Sequence, residues 1–398
     1  MLKKKVLKML LLKILINLLN QIAFRKIKIL IIILIFSPNF AHSFKSDADY
    51  ALLIEYETNQ VLYEKNSRKK IYPASMSKLM TLYVLFDYLE KNIISLDEKI
   101  FISENAWRKG GAVSESSTMF AEVSSYISVE NIIKGIVIQS GNDACIAISE
   151  ALSGSEEIFS DEMNSYAKKL GMNDTNFVNS TGLHDDNHYS TPLDMTILAK
   201  SLIRDFPNFY HYFSERSFTW NGIFQPNRNN LLGNNLGIDG LKTGKTSQSG
   251  YSMIVSSKIE NIRLIGIVSG LSSRDSRTME MQKLINYGQK SFKKYKLFTN
   301  NDIVKKVKVW EGKKSNLNML ISEDINLLLN IRTKRNLNAK ILFNEPIIAP
   351  VEEDQVIGKL ILLNDKEEIM NFNLISGEKI ERSNIFGRTI QKIGYLIN

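Results

Sequence analysis

The chain has 398 residues, 44% hydrophobic and 23% charged, with 51 Lys plus Arg against 42 Asp plus Glu and a formal net charge of +9. Eight of the basic residues and none of the acidic ones fall within residues 1–28, so the remainder is nearly neutral. A basic body for gripping nucleic acid is therefore not expected, and the single cysteine, Cys145, excludes an internal disulfide or a cysteine metal cluster.

In chain order, the basic start is followed by the apolar run Ile29–Phe36, then Ser37–Pro38 and the small residues Ala41 and Ser43 at cleavage-site spacing. These are the three regions of a secretory signal, with an apolar stretch too short to span a bilayer alone. Cleavage is expected after Ser43. A second apolar stretch, Met9–Phe24, leaves an upstream start or an uncleaved anchor open.

Ala51–Tyr56 and Val61–Glu64 read as a hairpin. Met76–Leu89 carries Leu79, Met80, Tyr83, Val84 and Tyr88 at three-to-four spacing, a helix with an apolar face. Val129 to about Ser153, Ile158–Leu170 and Pro192–Phe206 read as further helices, the last with Thr191 at its start. Tyr251–Ser257 and Arg263–Ser269 look like a second hairpin and Asp275–Tyr295 a closing helix. Composition shifts near residue 298, and Ile303–Ile375 is β-rich. At the far end Ile385, Phe386, Ile390, Ile393, Leu396 and Ile397 recur at helical spacing, opposite Asn384, Arg388, Gln391 and Lys392. This amphipathic helix suits either an anionic membrane surface or the protein's own body.

Three short elements carry chemistry. Tyr72–Pro73–Ala74–Ser75–Met76–Ser77–Lys78 opens a helix, so Ser75 falls in the first turn and Lys78 lies over the same face, a nucleophile with its base. Lys78 can take a proton only if burial or a nearby cation lowers its pKa. Four other Ser-x-x-Lys matches, at Ser67, Ser165, Ser291 and Ser376, lie in unsuitable settings. Ser140–Gly141–Asn142 places a hydroxyl and an amide at a helix–loop junction. Lys242–Thr243–Gly244 reads as a strand bearing a cation, a hydroxyl and a glycine that admits a close neighbour. Taken singly, each is more readily a cap or a turn, and Cys145 reads as a small buried hydrophobe.

Together and in this order, Ser-x-x-Lys, Ser-x-Asn and Lys-Thr-Gly resemble the penicillin-binding proteins and serine β-lactamases. The wording Pro-Ala-Ser-Met-Ser-Lys, Ser-Gly-Asn-Asp-Ala and Asp-Gly-Leu-Lys-Thr-Gly is similar to the low-molecular-mass D-alanyl-D-alanine carboxypeptidases. The resemblance runs from about Ala48 to the C-terminus. It implies an α/β (α+β) β-lactamase/transpeptidase-like domain at 44–298, its antiparallel sheet flanked by helices, after a signal peptide at 1–43. A small all-β domain at 299–378 and an amphipathic membrane anchor at 379–398 would follow. The implied location is the periplasmic face of the inner membrane, held peripherally by the C-terminal helix.

By the same resemblance, Ser75 is the nucleophile, Lys78 the general base and Ser140 a proton relay to the leaving amine. Asn142 would hold Lys78 or substrate, and Lys242 would keep the Lys78 pKa low by repulsion. Thr243, helped by Arg228 and Arg277, would bind the terminal carboxylate, and Gly244 belongs to the same substrate-binding set. The backbone N–H groups of Ser75 and Lys245 would form the oxyanion hole. Lys245 stands where the family often has histidine. His188 is read as a loop hydrogen-bonder ahead of a direct catalytic role. The implied partners are a peptidoglycan stem peptide and β-lactam antibiotics as covalent inhibitors, with no cofactor, metal or nucleic acid. Alternatives are a D,D-endopeptidase, a β-lactamase or an inactive peptidoglycan-binding scaffold.

Overall fold

The computed structural model describes residues 44–389. Tyr50–Glu55 (β1) and Val61–Lys65 (β2) pair as the first hairpin. The chain rejoins their sheet only much later, as Ile238–Thr246 (β3), Gly250–Ile259 (β4) and Ile262–Leu271 (β5). The strand order is β2-β1-β5-β4-β3, antiparallel throughout. Met253, Ile254 and Val255 are all buried, as are Leu264, Ile265, Ile267 and Val268. Such near-continuous apolar runs suit strands covered on both faces.

The covering helices are Lys78–Glu90 (α1), Asn142–Ser153 (α2), Glu156–Leu170 (α3), Pro192–Asp205 (α4) and Arg274–Ser291 (α5). α1, α2 and α4 share one core cluster with Leu52, Ile254, Ile265 and Ile267 of the sheet. In α1, Leu79, Met80, Leu82, Val84, Leu85 and Phe86 are all fully buried. The helix is thus enclosed on nearly every side rather than along one stripe, which makes its amino end a rigid mount. The helical stretch expected from Val129 to Ser153 is interrupted. Val129–Lys134 runs into a π turn at Gly135–Gln139, Ser140 adopts a left-handed φ of 61°, and α2 begins at Asn142.

The closing helix stops at Ser291, short of the expected Tyr295. Lys293–Phe298 (β6) is strand instead, because Tyr295, Leu297 and Phe298 pack on a second apolar cluster. That cluster belongs to Ile303–Trp310 (β7), Asn316–Ile321 (β8), Ile325–Leu329 (β9), Leu337–Leu342 (β10), Ile347–Ile348 (β11), Val356–Asn364 (β12) and Glu367–Ser376 (β13). Six of these strands form a sheet in the order β10-β12-β13-β8-β7-β11, and β6 pairs with β9. One helical turn, Ile331–Asn336, interrupts this all-β region. Gln60, beside β2, donates to the Leu328 carbonyl at 2.6 Å and accepts from its N–H at 2.9 Å, tying the first sheet's hairpin to β9.

The expected signal, residues 1–43, and residues 390–398 of the expected anchor lie outside the described residues. Ile385 and Phe386 at the start of that tail are 73% and 83% exposed. Among the described residues no helix is long and apolar enough to cross a membrane.

Candidate active site

Ser75 sits in the 3-10 turn Ala74–Ser77 that leads into α1, and Lys78 is the first residue of that helix. The Lys78 Nζ lies 3.2 Å from Ser75 Oγ, 2.7 Å from Asn142 Oδ1 and 2.5 Å from the Thr181 carbonyl oxygen. Lys78 is fully buried. Burial is the largest force on its amine and drives the pKa down from 10.5 to about 8, with Arg228 adding a smaller push in the same direction. Burial, and not the expected repulsion from Lys242, is thus the main lever.

Two glycines let separate chain segments meet at Ser75. A Cβ on Gly244 would stand 2.9 Å from the Pro73 carbonyl oxygen, so β3 runs directly against the serine's turn. Gly182 has φ +78°, and a Cβ there would fall 1.9 Å from the Ala74 carbonyl oxygen. This close approach carries the neighbouring Thr181 carbonyl to Lys78.

The left-handed backbone of Ser140 turns its hydroxyl to Lys242, whose Nζ donates to Ser140 Oγ at 2.8 Å. Lys242 is also buried, which lowers its pKa well below the usual lysine value, helped by Lys78 and Arg228. Asn142 donates to Ser116 Oγ at 3.0 Å, and Arg228 donates to Ser117 Oγ at 2.8 Å. The loop bearing those serines is tied down by Asp143, which accepts from Thr118 Oγ1 and from the N–H groups of Met119 and Ala121. Arg228 is held near β3 by its neighbour Asn229, whose amide donates to the Gly240 carbonyl at 3.1 Å.

Ser75, Ser117, Ser140, Arg228, Thr243, Gly244, Lys245, Tyr251, Arg274 and Arg277 line one cavity of about 140 Å³. Every residue singled out from the sequence is therefore either in this wall or, as with Lys78, Asn142 and Lys242, hydrogen-bonded at or behind it. Arg277 is buried with its Nε unpartnered, and burial lowers its pKa to about 10. Larger cavities exist elsewhere, one of about 790 Å³ lined by residues from Leu342 to Lys359, but that one has no serine or threonine in its wall.

His188 is only 2% exposed, and burial lowers its pKa to about 4. Its Nδ1 accepts from the Val178 N–H at 3.2 Å, so the neutral ring donates from Nε2 to Ser77 Oγ at 2.7 Å. It braces the turn behind the nucleophile and is not among the cavity-lining residues. Sequence reasoning missed Ser116, Ser117, Thr181 and Arg274. Ser116 and Ser117 sit in an unpatterned polar run, Thr181 contributes a backbone oxygen, and Arg274 opens the helix of Arg277 with no motif of its own.

A protein family described as D-alanyl-D-alanine carboxypeptidase matches residues 37–273, and one described as penicillin-binding protein 5, C-terminal domain, matches residues 292–382. The chain is 37% identical to D-alanyl-D-alanine carboxypeptidase DacC of Escherichia coli K12 over 86% of each chain. Its fold is similar to penicillin binding protein 5 from Haemophilus influenzae, with a TM-score of 0.76, 32% identity, and coverage of 86% of this chain and 100% of that one. It is also similar to penicillin-binding protein D2 from Listeria monocytogenes in an ampicillin-bound form, with a TM-score of 0.54, 31% identity, and coverage of 62% and 99%.

Proposed function

The chain belongs to the D-alanyl-D-alanine carboxypeptidase family, and from that premise we propose how its residues remove the terminal D-alanine of a peptidoglycan stem pentapeptide. It is a serine-type hydrolase that also binds β-lactams. The observation that carries the assignment of residues is the contact between Ser75 Oγ and the buried Lys78 Nζ at 3.2 Å, beside a cavity walled by cations.

With a pKa of about 8, roughly a tenth of Lys78 is neutral at pH 7 and free to act as base. Ser75 Oγ attacks the penultimate D-alanine carbonyl while its proton passes to Lys78 Nζ. The N–H groups of Ser75 and Lys245 receive the developing oxyanion. The amide C–N bond then breaks as the proton taken up by Lys78 is relayed through Ser140, hydrogen-bonded to Lys242, to the departing amine, which leaves Lys78 neutral again. The terminal carboxylate is held by Thr243 with Arg228 and Arg277. Water next attacks the acyl ester and gives its proton to Lys78, which passes it to Ser75 Oγ as the ester C–O bond breaks and the shortened peptide leaves. Asn142 keeps Lys78 directed at Ser75 throughout.

The working division is a signal at 1–43, a catalytic domain at 44–298, a β domain at 299–378 and an anchor at 379–398. The protein is exported, cleaved after Ser43, and held on the periplasmic face of the inner membrane by its C-terminal helix. The basic-then-apolar start and the exposed Ile385 and Phe386 support this reading.

The decisive experiment incubates the purified protein with a fluorescent penicillin. Covalent label at Ser75 is expected, lost in Ser75→Ala. Equal labelling of that variant, or no label on folded protein, overturns the mechanism. Release of free D-alanine from a pentapeptide identifies the reaction, and deletion of Ile385–Asn398 is expected to free the protein from membranes.

A further inference from the structure

The carboxylate end of the cavity holds more positive charge than one carboxylate can match. Arg228, Arg274, Arg277 and Lys245 all line it, and no Asp or Glu is among the lining residues. Among the described residues none of these four takes part in an ion pair, as the salt bridges all lie elsewhere. Their arrangement has depth. Arg277 is 4% exposed, with Nε unpartnered, and forms the floor, while Arg274 and Lys245 are exposed at the rim.

Arg274 and Arg277 are one helical turn apart in the first turn of α5, so both side chains lie on the same side of its amino end. Arg274 is close enough to act electrostatically on both Arg228 and Arg277, making each harder to keep charged. Among the described residues its guanidinium makes no hydrogen bond, whereas Arg228 is held by Ser117. Lys245 has only an aromatic neighbour, its ammonium lying 5.3 Å from the Tyr251 ring. Unmatched like charges in a partly enclosed site cost stability, and an anion that reaches them recovers that cost.

We propose that Arg274 and Lys245 form a second anion subsite, which favours acyl donors whose leaving group carries another carboxylate besides its terminal one. The proposal rests on the hydrolase reading above, in which Arg228, Arg277 and Thr243 hold the terminal carboxylate. The scissile bond and the steps are unchanged. Only the departing amine differs, being attached to a dicarboxylate in place of D-alanine. Such an amine arises in a linear peptide ending in an acidic D-residue, or in a cross-linked peptide whose donated amine belongs to a diamino diacid.

The test compares three substrates with the purified protein: an acylated tripeptide ending in D-alanyl-D-alanine, its counterpart ending in D-alanyl-D-glutamate, and a cross-linked peptide dimer. The quantity read is each kcat/KM relative to that of the D-alanine-ended peptide. A charge-assisted bond to an arginine is worth on the order of tenfold in such a ratio. Wild type is therefore expected to cleave at least one dicarboxylate substrate as well as the D-alanine-ended one, and Arg274→Gln to lower that ratio about tenfold. Arg274→Lys, which keeps the charge, is expected to restore most of it, and added salt to reduce it in wild type.

Preference for the dimer assigns the subsite to cross-links, and preference for the D-glutamate peptide assigns it to linear ends. A ratio that Arg274→Gln leaves unchanged while D-alanine is still released overturns the subsite alone. So does a wild type that cleaves both dicarboxylate substrates about a hundredfold less well than the D-alanine-ended peptide. No cleavage of any substrate and no penicillin label on Ser75 overturns the hydrolase reading, and the subsite with it.

Discussion

Lys78 is the residue on which chemistry and stability oppose each other, and replacing it with methionine separates the two. Moving a buried lysine from 10.5 to about 8 corresponds to roughly 3 kcal/mol of unfavourable folding free energy wherever the amine is charged in both states. Below pH 8 both the folded and the unfolded chain hold this proton. Between pH 8 and 10.5 only the unfolded chain keeps it, so the unfolded state binds more protons and stability rises with pH. From pH 7 to pH 10 the wild type should gain about 2 kcal/mol over Lys78→Met. Urea unfolding of both proteins at the two pH values measures that difference. The comparison is insensitive to the bonds that methionine fails to make to Asn142 and Thr181, because these are missing at both pH values. The same proton governs catalysis. Wild-type kcat/KM for D-alanine release should rise with pH through an inflection near 8, and Lys78→Met should retain no such activity. A pH difference below about 0.5 kcal/mol, or a rate that is flat between pH 6 and 9, refutes the argument that a buried, depressed lysine is the base.

Other consequences follow from the same geometry. His188 has its pKa lowered from 6.5 to about 4, so its contribution is complete above pH 6.5 and lost as pH falls toward 4. Between pH 7 and 4, wild type should lose about 3 kcal/mol more than His188→Gln in unfolding experiments, with no rate inflection near pH 6 assignable to this ring. Gly182→Ala introduces a Cβ 1.9 Å from the Ala74 carbonyl oxygen at a left-handed backbone position. It is expected to lower stability by about 3 kcal/mol and, by shifting Thr181 from Lys78, to reduce kcat/KM on the order of a hundredfold. Gln60→Leu leaves both backbone groups of Leu328 without the partners they have at 2.6 and 2.9 Å. Unfolding midpoints should register a loss of about 2 kcal/mol with the acylation rate unchanged.

Much of the chemistry is visible before folding is considered. The order of Ser75–Lys78, Ser140–Asn142 and Lys242–Gly244 marks the groups proposed to react, because each is a short motif whose spacing follows a helical turn or a strand. The two hairpins and the helices at Glu156–Leu170 and Pro192–Asp205 are legible for the same local reason, an apolar pattern bounded by caps such as Thr191. The tertiary structure decided what local pattern cannot encode. Ser140 is left-handed, which splits an otherwise continuous helical pattern, because its hydroxyl has to meet a lysine 102 residues away. The closing helix gives way to β6 because Tyr295, Leu297 and Phe298 find their apolar partners in a distant part of the chain. Burial lowers the Lys78 pKa more than a neighbouring charge does, since desolvation depends on everything packed around the amine. The third contact of that lysine is a backbone oxygen, which every residue possesses and no side-chain pattern announces. Motif residues are thus determined by the sequence alone, whereas the protonation of the base and the excess of cations at the carboxylate end exist only once distant segments are brought together.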